Sequence, residues 1–468
     1  MLRFTRNDEY QEKPQRQRWG GVTWRHGELL DRQKLGLFHL GTFLLCALII
    51  IVDAADTGSA NVAAPAILRA FPAERSVMGW VFAWGSIGVF FGSLIFGYIG
   101  DRYGRRLGVI VSVLFYSLPA LGTAFAGSLE QLMIWRFVTG LGIGGAIPNT
   151  IALLNEAAPK RYRASFVVFA FLGYSIGTGS SGQIAGWFTP IYGWISVFVA
   201  VGIAGSLLVV LLFFCLPESL RYLVVTDPAS PALRRRAARL FPDAGIGSET
   251  RFILVQEEKA QKVALRELFV GDLKITTPLL WFSYFAESFT YLGFTAWLST
   301  IMETAGLSHS EAAFAFSYAG FGGILVLLGM SRLLDRFGPT ASVVTAIIGI
   351  SGMLTIGVSG FSVAIYMLLA VIAHAFCAGT HNSLNSTVGM FYPTRIRGNG
   401  VGWATAMGRI GDATGPLAIG YVFSAKVSLD TVLYAVAGPY LVVMVLNFML
   451  GRIFRRQFHM PIVATAGE

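Results

Sequence analysis

The sequence has few charged residues, few histidines and few cysteines. Only 13% of its 468 residues are Asp, Glu, Lys or Arg, whereas 54% are hydrophobic. This composition excludes an ordinary soluble enzyme and predicts a protein of the lipid bilayer. The three cysteines, Cys46, Cys215 and Cys377, fall in apolar stretches at spacings that suggest neither a disulfide nor a metal site. Because histidines, cysteines and acids form no catalytic or metal-spaced cluster, the sequence predicts no enzyme, no metal and no cofactor.

Apolar windows of about 20 residues recur along the chain, and about twelve can cross a bilayer as helices. The predicted spans begin near Leu37, Val77, Leu107, Glu130, Ala164, Gly193, Leu279, Glu311, Ala341, Phe361, Gly398 and Thr431. The fold class is therefore predicted to be an all-α polytopic membrane protein. Its expected parts are an N-terminal segment 1–35, a six-helix bundle 36–216, a central segment 217–276, a second six-helix bundle 277–453 and a tail 454–468.

The net charge of +10 is distributed unevenly between the predicted loops. Lys and Arg crowd the N-terminal segment, the central segment, the tail and every second loop, whereas the intervening loops carry only Arg69, Arg75 and Lys426. By the positive-inside rule, both termini and the central segment are cytoplasmic. The excess of Lys and Arg over Asp and Glu therefore indicates membrane topology, and no nucleic-acid partner is expected. Residues 1–35 contain no short apolar core with a cleavage site, so no removable signal peptide is predicted.

The chain contains an internal repeat. "GYIGDRYGRR" around Asp101 recurs as "SRLLDRFGPT" around Asp335, and "APKRYRA" recurs as "YPTRIRG", both 234 residues later. This offset is half the chain length, so the two six-helix halves have the same orientation and are related by an axis along the membrane normal. Halves of this kind enclose a site at their interface and rock about it.

These repeated motifs resemble the major facilitator superfamily of secondary transporters, and the resemblance covers essentially the whole chain. A narrower resemblance, to aromatic acid:proton symporters, is carried by the first-span "DAAD" and by three longer stretches, "WRFVTGLGIGGAIPN", "LPESLRYL" and "YPTRIRGNGVGWATAMGRIGDATGP". Sugar porters also carry a motif like "LPESLRYL". The symporters usually have glycine in the first-span motif where this chain has Ala54.

The resemblance implies twelve transmembrane helices in two pseudo-symmetric bundles, the major facilitator fold. It also implies proton-driven import of small aromatic carboxylates, of the benzoate or hydroxybenzoate kind, across a bacterial inner membrane. The expected partners are the substrate, protons and the bilayer, and we expect a monomer.

Two carboxylates, Asp53 and Asp56, interrupt the first apolar span. Residues three apart share a helical face, and a carboxylate facing lipid is costly, so both are predicted to face the protein interior. The helical rise places them at nearly the same depth as Arg136 in the fourth span. We therefore predict a proton-coupling site of Asp53, Asp56 and Arg136, with Asp56 the first candidate for the proton. The alternative is a permanent Asp–Arg ion pair that only ties two helices together.

Arg409 and His374 are predicted to lie near the membrane midplane in the eleventh and tenth spans. Arg409 offers two parallel hydrogen bonds to a substrate carboxylate, and His374 offers a hydrogen bond or a proton. The alternatives are an internal Arg409–Asp412 pair and a structural interhelical histidine. His381, nearer the cytoplasmic end, is a weaker candidate.

The seventh and eighth spans are rich in aromatic residues, which suit an aromatic substrate. Tyr318 and Phe321 are candidates for contact with the ring, although such stripes more often serve helix packing. Glu287 is the acid of the seventh span, and we expect it either to line the cavity or to pair with a cation elsewhere in the protein.

Charged residues at the predicted cytoplasmic ends are candidates for gates. Acid and base recur together in the two copies of the loop motif, and a further acid is expected to face basic residues of both halves. The residues given this role are Asp101, Arg105, Glu156, Asp335, Arg336 and Arg397. The alternative is that the positive charges serve membrane topology alone.

Other functions stay open from the sequence. A proton-coupled carrier of sugars or aliphatic acids would share the fold, although Arg409 and His374 favour an anion over a neutral sugar. A membrane nutrient sensor would need a signalling domain, and the central segment is short for one.

Overall fold

The computed structural model describes residues 23–25, 36–240, 246, 250–253, 264–358, 360–393 and 395–458. In the first half, the long helices are α1 Leu37–Ala70, α2 Arg75–Tyr103, α3 Arg105–Ala124, α4 Leu129–Ala157, α5 Arg163–Tyr192 and α6 Ile195–Cys215. The central segment contains α7 Leu220–Thr226 and α8 Pro231–Leu240, and β2 Arg251–Ile253 pairs in parallel with β1 Thr23–Arg25. In the second half, the helices are α9 Leu273–Thr304, α10 His309–Phe337, α11 Ala341–Ile356, α12 Val363–Thr387, α13 Arg397–Ser424 and α14 Leu429–Phe458.

The predicted spans match these helices closely, with one correction. Eleven helices begin within two residues of the predicted position, but α9 begins at Leu273 rather than near Leu279. Its first turns contain Thr276 and Thr277, which lower the mean hydropathy there, so a search for apolar windows starts the helix too late. Both hydroxyls donate to backbone carbonyls, those of Asp272 and Leu268, at 3.1 and 2.6 Å. The helix can therefore begin with polar residues because their side chains are hydrogen-bonded.

Eight helices of the described chain are both long and apolar enough to cross a bilayer by composition. Three of the others, α5, α9 and α13, are long but carry more glycine, serine, threonine or charge, and α11 has only 16 residues. Each of those three long helices packs against a helix of the opposite half: α5 on α10, α9 on α1 and α13 on α2. Protein shields these surfaces from lipid, so they need less hydropathy.

Helix packing repeats between the halves. In the first half, α1 packs on α5, α2 on α4, α3 on α4 and α3 on α6. The equivalent pairs of the second half, α9 with α13, α10 with α12, α11 with α12 and α11 with α14, are also in contact. The duplication read from the sequence motifs is therefore present in three dimensions.

Polar contacts join the two halves at one end of the bundle. We call the end that holds Asp101 and Glu156 the basic end, and the end that holds Arg69 and Glu303 the far end. At the far end, Arg69 of α1 forms an ion pair with Glu303 of α9 at 2.7 Å. There the Ser76 backbone N–H of α2 also donates to the Ser424 hydroxyl of α13, at 2.8 Å. The halves are therefore held together at the far end.

Close packing continues from the far end toward the middle of the bundle. A Cβ atom built on Gly79 of α2 would lie 3.1 Å from the Leu417 Cα of α13. On the other inter-half seam, the Ser317 hydroxyl of α10 donates to the Gly179 carbonyl of α5 at 2.7 Å. Small residues allow this approach because any larger side chain would separate the helices.

Candidate functional site

The two aspartates of α1 lie inside the bundle. Asp53 is 1% exposed and Asp56 is fully buried. Arg136 of α4 donates to Asp56 Oδ2 at 2.9 Å and is itself buried. Neither oxygen of Asp53 has a hydrogen-bond partner among the described residues. The structure thus brings Asp53, Asp56 and Arg136 together, and Arg136 forms its ion pair with Asp56 rather than with Asp53.

Arg409 of α13 lies across the interface from this acid pair. It interacts electrostatically with Asp53 of the other half, while its Nη1 donates to Asp412 Oδ2 of its own helix at 3.1 Å. The Arg409 side chain is 46% exposed. In this conformation the internal Arg409–Asp412 pair therefore forms, and the Arg409 side chain is still partly accessible.

A second buried acid–base pair joins α9 to α12. Glu287 Oε2 lies 2.5 Å from His381 Nδ1, and Glu287 is fully buried. The Tyr291 ring stacks on the His381 ring, with centroids 5.2 Å apart, and also contacts the His374 ring at 5.6 Å. Glu287 therefore has a basic partner within the protein. That partner is the histidine that the sequence ranked lower.

His374 occupies a different setting on α12. It is buried, and its Nδ1 lies 3.2 Å from the Ala319 carbonyl of α10. Its Nε2 has no hydrogen-bond partner within the described ranges. The ring thus holds α12 against α10 while one nitrogen is left for another group.

The two aromatic candidates of α10 lie apart from these polar residues. Phe321 packs against Gly179 of α5, and Tyr318 is 47% exposed. Residues two apart point in nearly opposite directions on a helix, and Phe316, two residues before Tyr318, faces Gly58 of α1. Tyr318 therefore points away from the interior that holds Asp53.

The charged residues of the basic end form a network within the first half. Arg105 pairs with Asp101 at 2.5 Å and with Glu156 at 3.6 Å, and it also donates to the Asn149 amide oxygen at 3.4 Å. Glu156 is thus bound to a basic residue of its own half. The Arg397 guanidinium donates to the Tyr392 carbonyl at 3.4 Å.

Two further gate candidates belong to the loop copy of the second half. The side chains of Asp335 and Arg336 lie outside the described residues.

At the far end, a group that the sequence did not reveal holds three helices together. Glu303 accepts from Arg69 at 2.7 Å and contacts His309 Nδ1 of α10 at 2.6 Å. Arg69 and Glu303 are 234 residues apart, the period of the internal repeat. They are therefore equivalent positions of the two halves, and this pairing could have been found from that offset. Within the described chain, no group of histidine, cysteine and acid side chains could hold a metal ion.

The fold and the interfacial site define a transporter of the secondary-carrier class. The sequence model of the protein family described as the Major Facilitator Superfamily matches residues 46–364 and 280–459 of this chain. The chain therefore belongs to the major facilitator superfamily.

Comparison with known proteins narrows the likeness to aromatic acid transporters. The chain is 33% identical over 389 residues to the 4-hydroxybenzoate transporter PcaK of Pseudomonas aeruginosa, covering 82% of this chain and 86% of that protein. It is 30% identical over 402 residues to the gallate transporter of Pseudomonas putida, covering 86% and 89%. It is also 30% identical over 408 residues to the benzoate transport protein of Acinetobacter baylyi, covering 85% and 86%.

Solved structures share the fold at lower sequence identity. A bacterial homologue of the lysosomal transporter Spinster, in an inward-facing and occupied conformation, superposes with a TM-score of 0.68 at 16% identity, covering 90% of this chain and 99% of that one. A D-xylose–proton symporter gives a TM-score of 0.65 at 18% identity, covering 88% and 96%.

Proposed function

We propose that this protein imports small aromatic carboxylates by proton symport and alternating access, across a bacterial inner membrane with both termini in the cytoplasm. The observation that carries the proposal is Asp53. It is a buried carboxylate without a hydrogen-bond partner in the described chain, next to the Asp56–Arg136 pair and opposite Arg409 of the other half. The names of the similar transporters support the substrate class.

The charges of the interior support Asp53 as the proton carrier. Three carboxylates each contact a base: Asp56 with Arg136, Asp412 with Arg409 and Glu287 with His381. Asp53 is the fourth carboxylate and has no such base. A buried carboxylate without a paired base strongly favours its protonated form, so Asp53 can take up a proton and release it when a cation approaches. We therefore propose Asp53 for the proton, with Asp56 and Arg136 as the fixed pair beside it.

Arg409 links the proton to the substrate. When Asp53 is protonated, Arg409 is free to bind the anionic carboxylate of the substrate with two parallel hydrogen bonds. When the substrate leaves, Arg409 is available to Asp412 and to an ionised Asp53 again. The ionised Asp53 and the substrate carboxylate thus compete for one guanidinium, so protonation of Asp53 favours substrate binding, which is a thermodynamic coupling between two sites.

The contacts at the far end support an assignment of this conformation to one state of the transport cycle. If the basic end is cytoplasmic, as the distribution of Lys and Arg predicts, the contacts of Arg69, Ser76 and Gly79 close the outer side. The structure would then be inward-facing, the state from which proton and substrate leave. We propose the Arg105 network, with Asp101 and Glu156, as part of the gate at the cytoplasmic side.

The proposal is tested by uptake of radiolabelled 4-hydroxybenzoate into proteoliposomes, with and without an inward proton gradient. We expect accumulation above equilibrium only with the gradient, loss of that accumulation in Asp53→Asn, and no change in Glu130→Gln, an exposed acid at the start of α4. Gradient-independent accumulation, or full accumulation by Asp53→Asn, would contradict proton symport through this residue.

A further inference from the structure

The Glu287–His381 pair has no part in the proton step, yet it faces the same interior. Glu287 is an acceptor when ionised, so the Nδ1 of His381, 2.5 Å from it, carries the ring proton. The carboxylate thus fixes the ring orientation and leaves Nε2 as the free nitrogen. Tyr291 covers one face of the ring, and the His381 side chain is still 27% exposed.

His381 lies within reach of the proposed carboxylate anchor. It interacts electrostatically with both Arg409 and Asp412 of α13. We expect an aromatic carboxylate held by Arg409 to place its ring near Tyr291 and His381. The group at the far side of that ring would meet a nitrogen rather than a hydrocarbon surface.

We infer that the Glu287–His381 pair binds a hydroxyl group on the ring of the substrate and so selects hydroxylated over unsubstituted aromatic carboxylates. A hydroxyl both donates and accepts, so it can hydrogen-bond Nε2 in either protonation state of the histidine. A ring C–H does neither, and it would leave a desolvated nitrogen without a partner. The preference expected from one such lost hydrogen bond is roughly ten- to hundredfold in Kd.

The assignment rests on the proposed function, and paired variants separate recognition from structural support. In His381→Asn, the amide can still donate to Glu287 but no atom remains at the position of Nε2. In His381→Gln, the amide reaches the position of Nε2 but releases Glu287. Thr380→Val is the matched control, because it removes the buried 2.9 Å contact with Thr345 at the neighbouring position of α12.

The measurement is the ratio of the Kd for benzoate to the Kd for 4-hydroxybenzoate, by isothermal titration of the purified full-length protein. We expect a ratio of about 10 or more in the wild type and in Thr380→Val, a ratio near 1 in His381→Asn, and an intermediate ratio in His381→Gln. A preserved ratio in His381→Asn, or loss of the ratio in His381→Gln alone, would show that the pair only supports the fold. A wild type that binds both acids equally well overturns the assignment alone, whereas one that binds neither also overturns the proposed function.

Discussion

Replacing Asp412 with asparagine should strengthen the binding of aromatic carboxylates. Asp412 Oδ2 accepts a hydrogen bond from Arg409 at 3.1 Å and so competes for the guanidinium that the proposed substrate needs. Because Arg409 is 46% exposed, solvent screens this pair, and we take its contribution as about 0.3–1 kcal/mol. A neutral amide competes less well than a carboxylate, so the Kd should fall about two- to fivefold.

The assay is titration of purified protein with 4-hydroxybenzoate, with Asp430→Asn as the matched control. Asp430 is an exposed acid at the start of α14, and its neutralisation should leave the Kd unchanged. Weaker binding in Asp412→Asn would refute the competition and would mean that Asp412 holds Arg409 in its binding orientation instead. Unchanged binding would refute any part for the pair in substrate recognition.

Three further outcomes follow from the contacts. Glu303→Gln weakens the bond to Arg69, so the far end should open more often, which cysteine-accessibility labelling at that end would detect. Unchanged labelling would contradict a role for the Arg69–Glu303 pair in closing this end. Arg136→Gln leaves Asp56 buried without its cation and should lower the free energy of unfolding by about 3–5 kcal/mol, whereas adding Asp56→Asn should restore most of the loss; a simple sum of the two effects would contradict the pairing. Arg105→Gln should speed opening of the basic end, measured as faster substrate efflux, and unchanged efflux would argue against a gate there.

Hydropathy and charge predict most of the fold. Apolar windows give the starts of eleven long helices, and the offset of 234 residues gives the duplication. The start of α9 is predicted too late because the Thr276 and Thr277 hydroxyls donate hydrogen bonds to backbone carbonyls, and no hydropathy scale includes such bonds. Helices α5, α9 and α13 are modestly apolar for a related reason, since each packs against the opposite half.

The site is predictable only in part. Helical rise gives the depth of a side chain in the membrane but not its hydrogen-bond partner. Arg136 could therefore be placed beside the acid pair, but its bond to Asp56 rather than to Asp53 could not be predicted. His381 could have been ranked higher, because it lies seven residues from His374 and shares its helical face. The second signal is Glu287 of the seventh span, an acid that needs a basic partner in the protein interior. The choice of Arg409 between Asp412 and a substrate depends on conformation, which a sequence does not specify.

The central claim is that Asp53 couples proton movement to substrate movement. The most direct measurement is the change in internal pH when 4-hydroxybenzoate is added outside proteoliposomes that contain a pH-sensitive dye. We expect internal acidification with the wild type and none with Asp53→Asn, while the variant still exchanges labelled for unlabelled substrate. Acidification by Asp53→Asn at the wild-type rate would contradict the account, because protons would then cross with the substrate without this carboxylate.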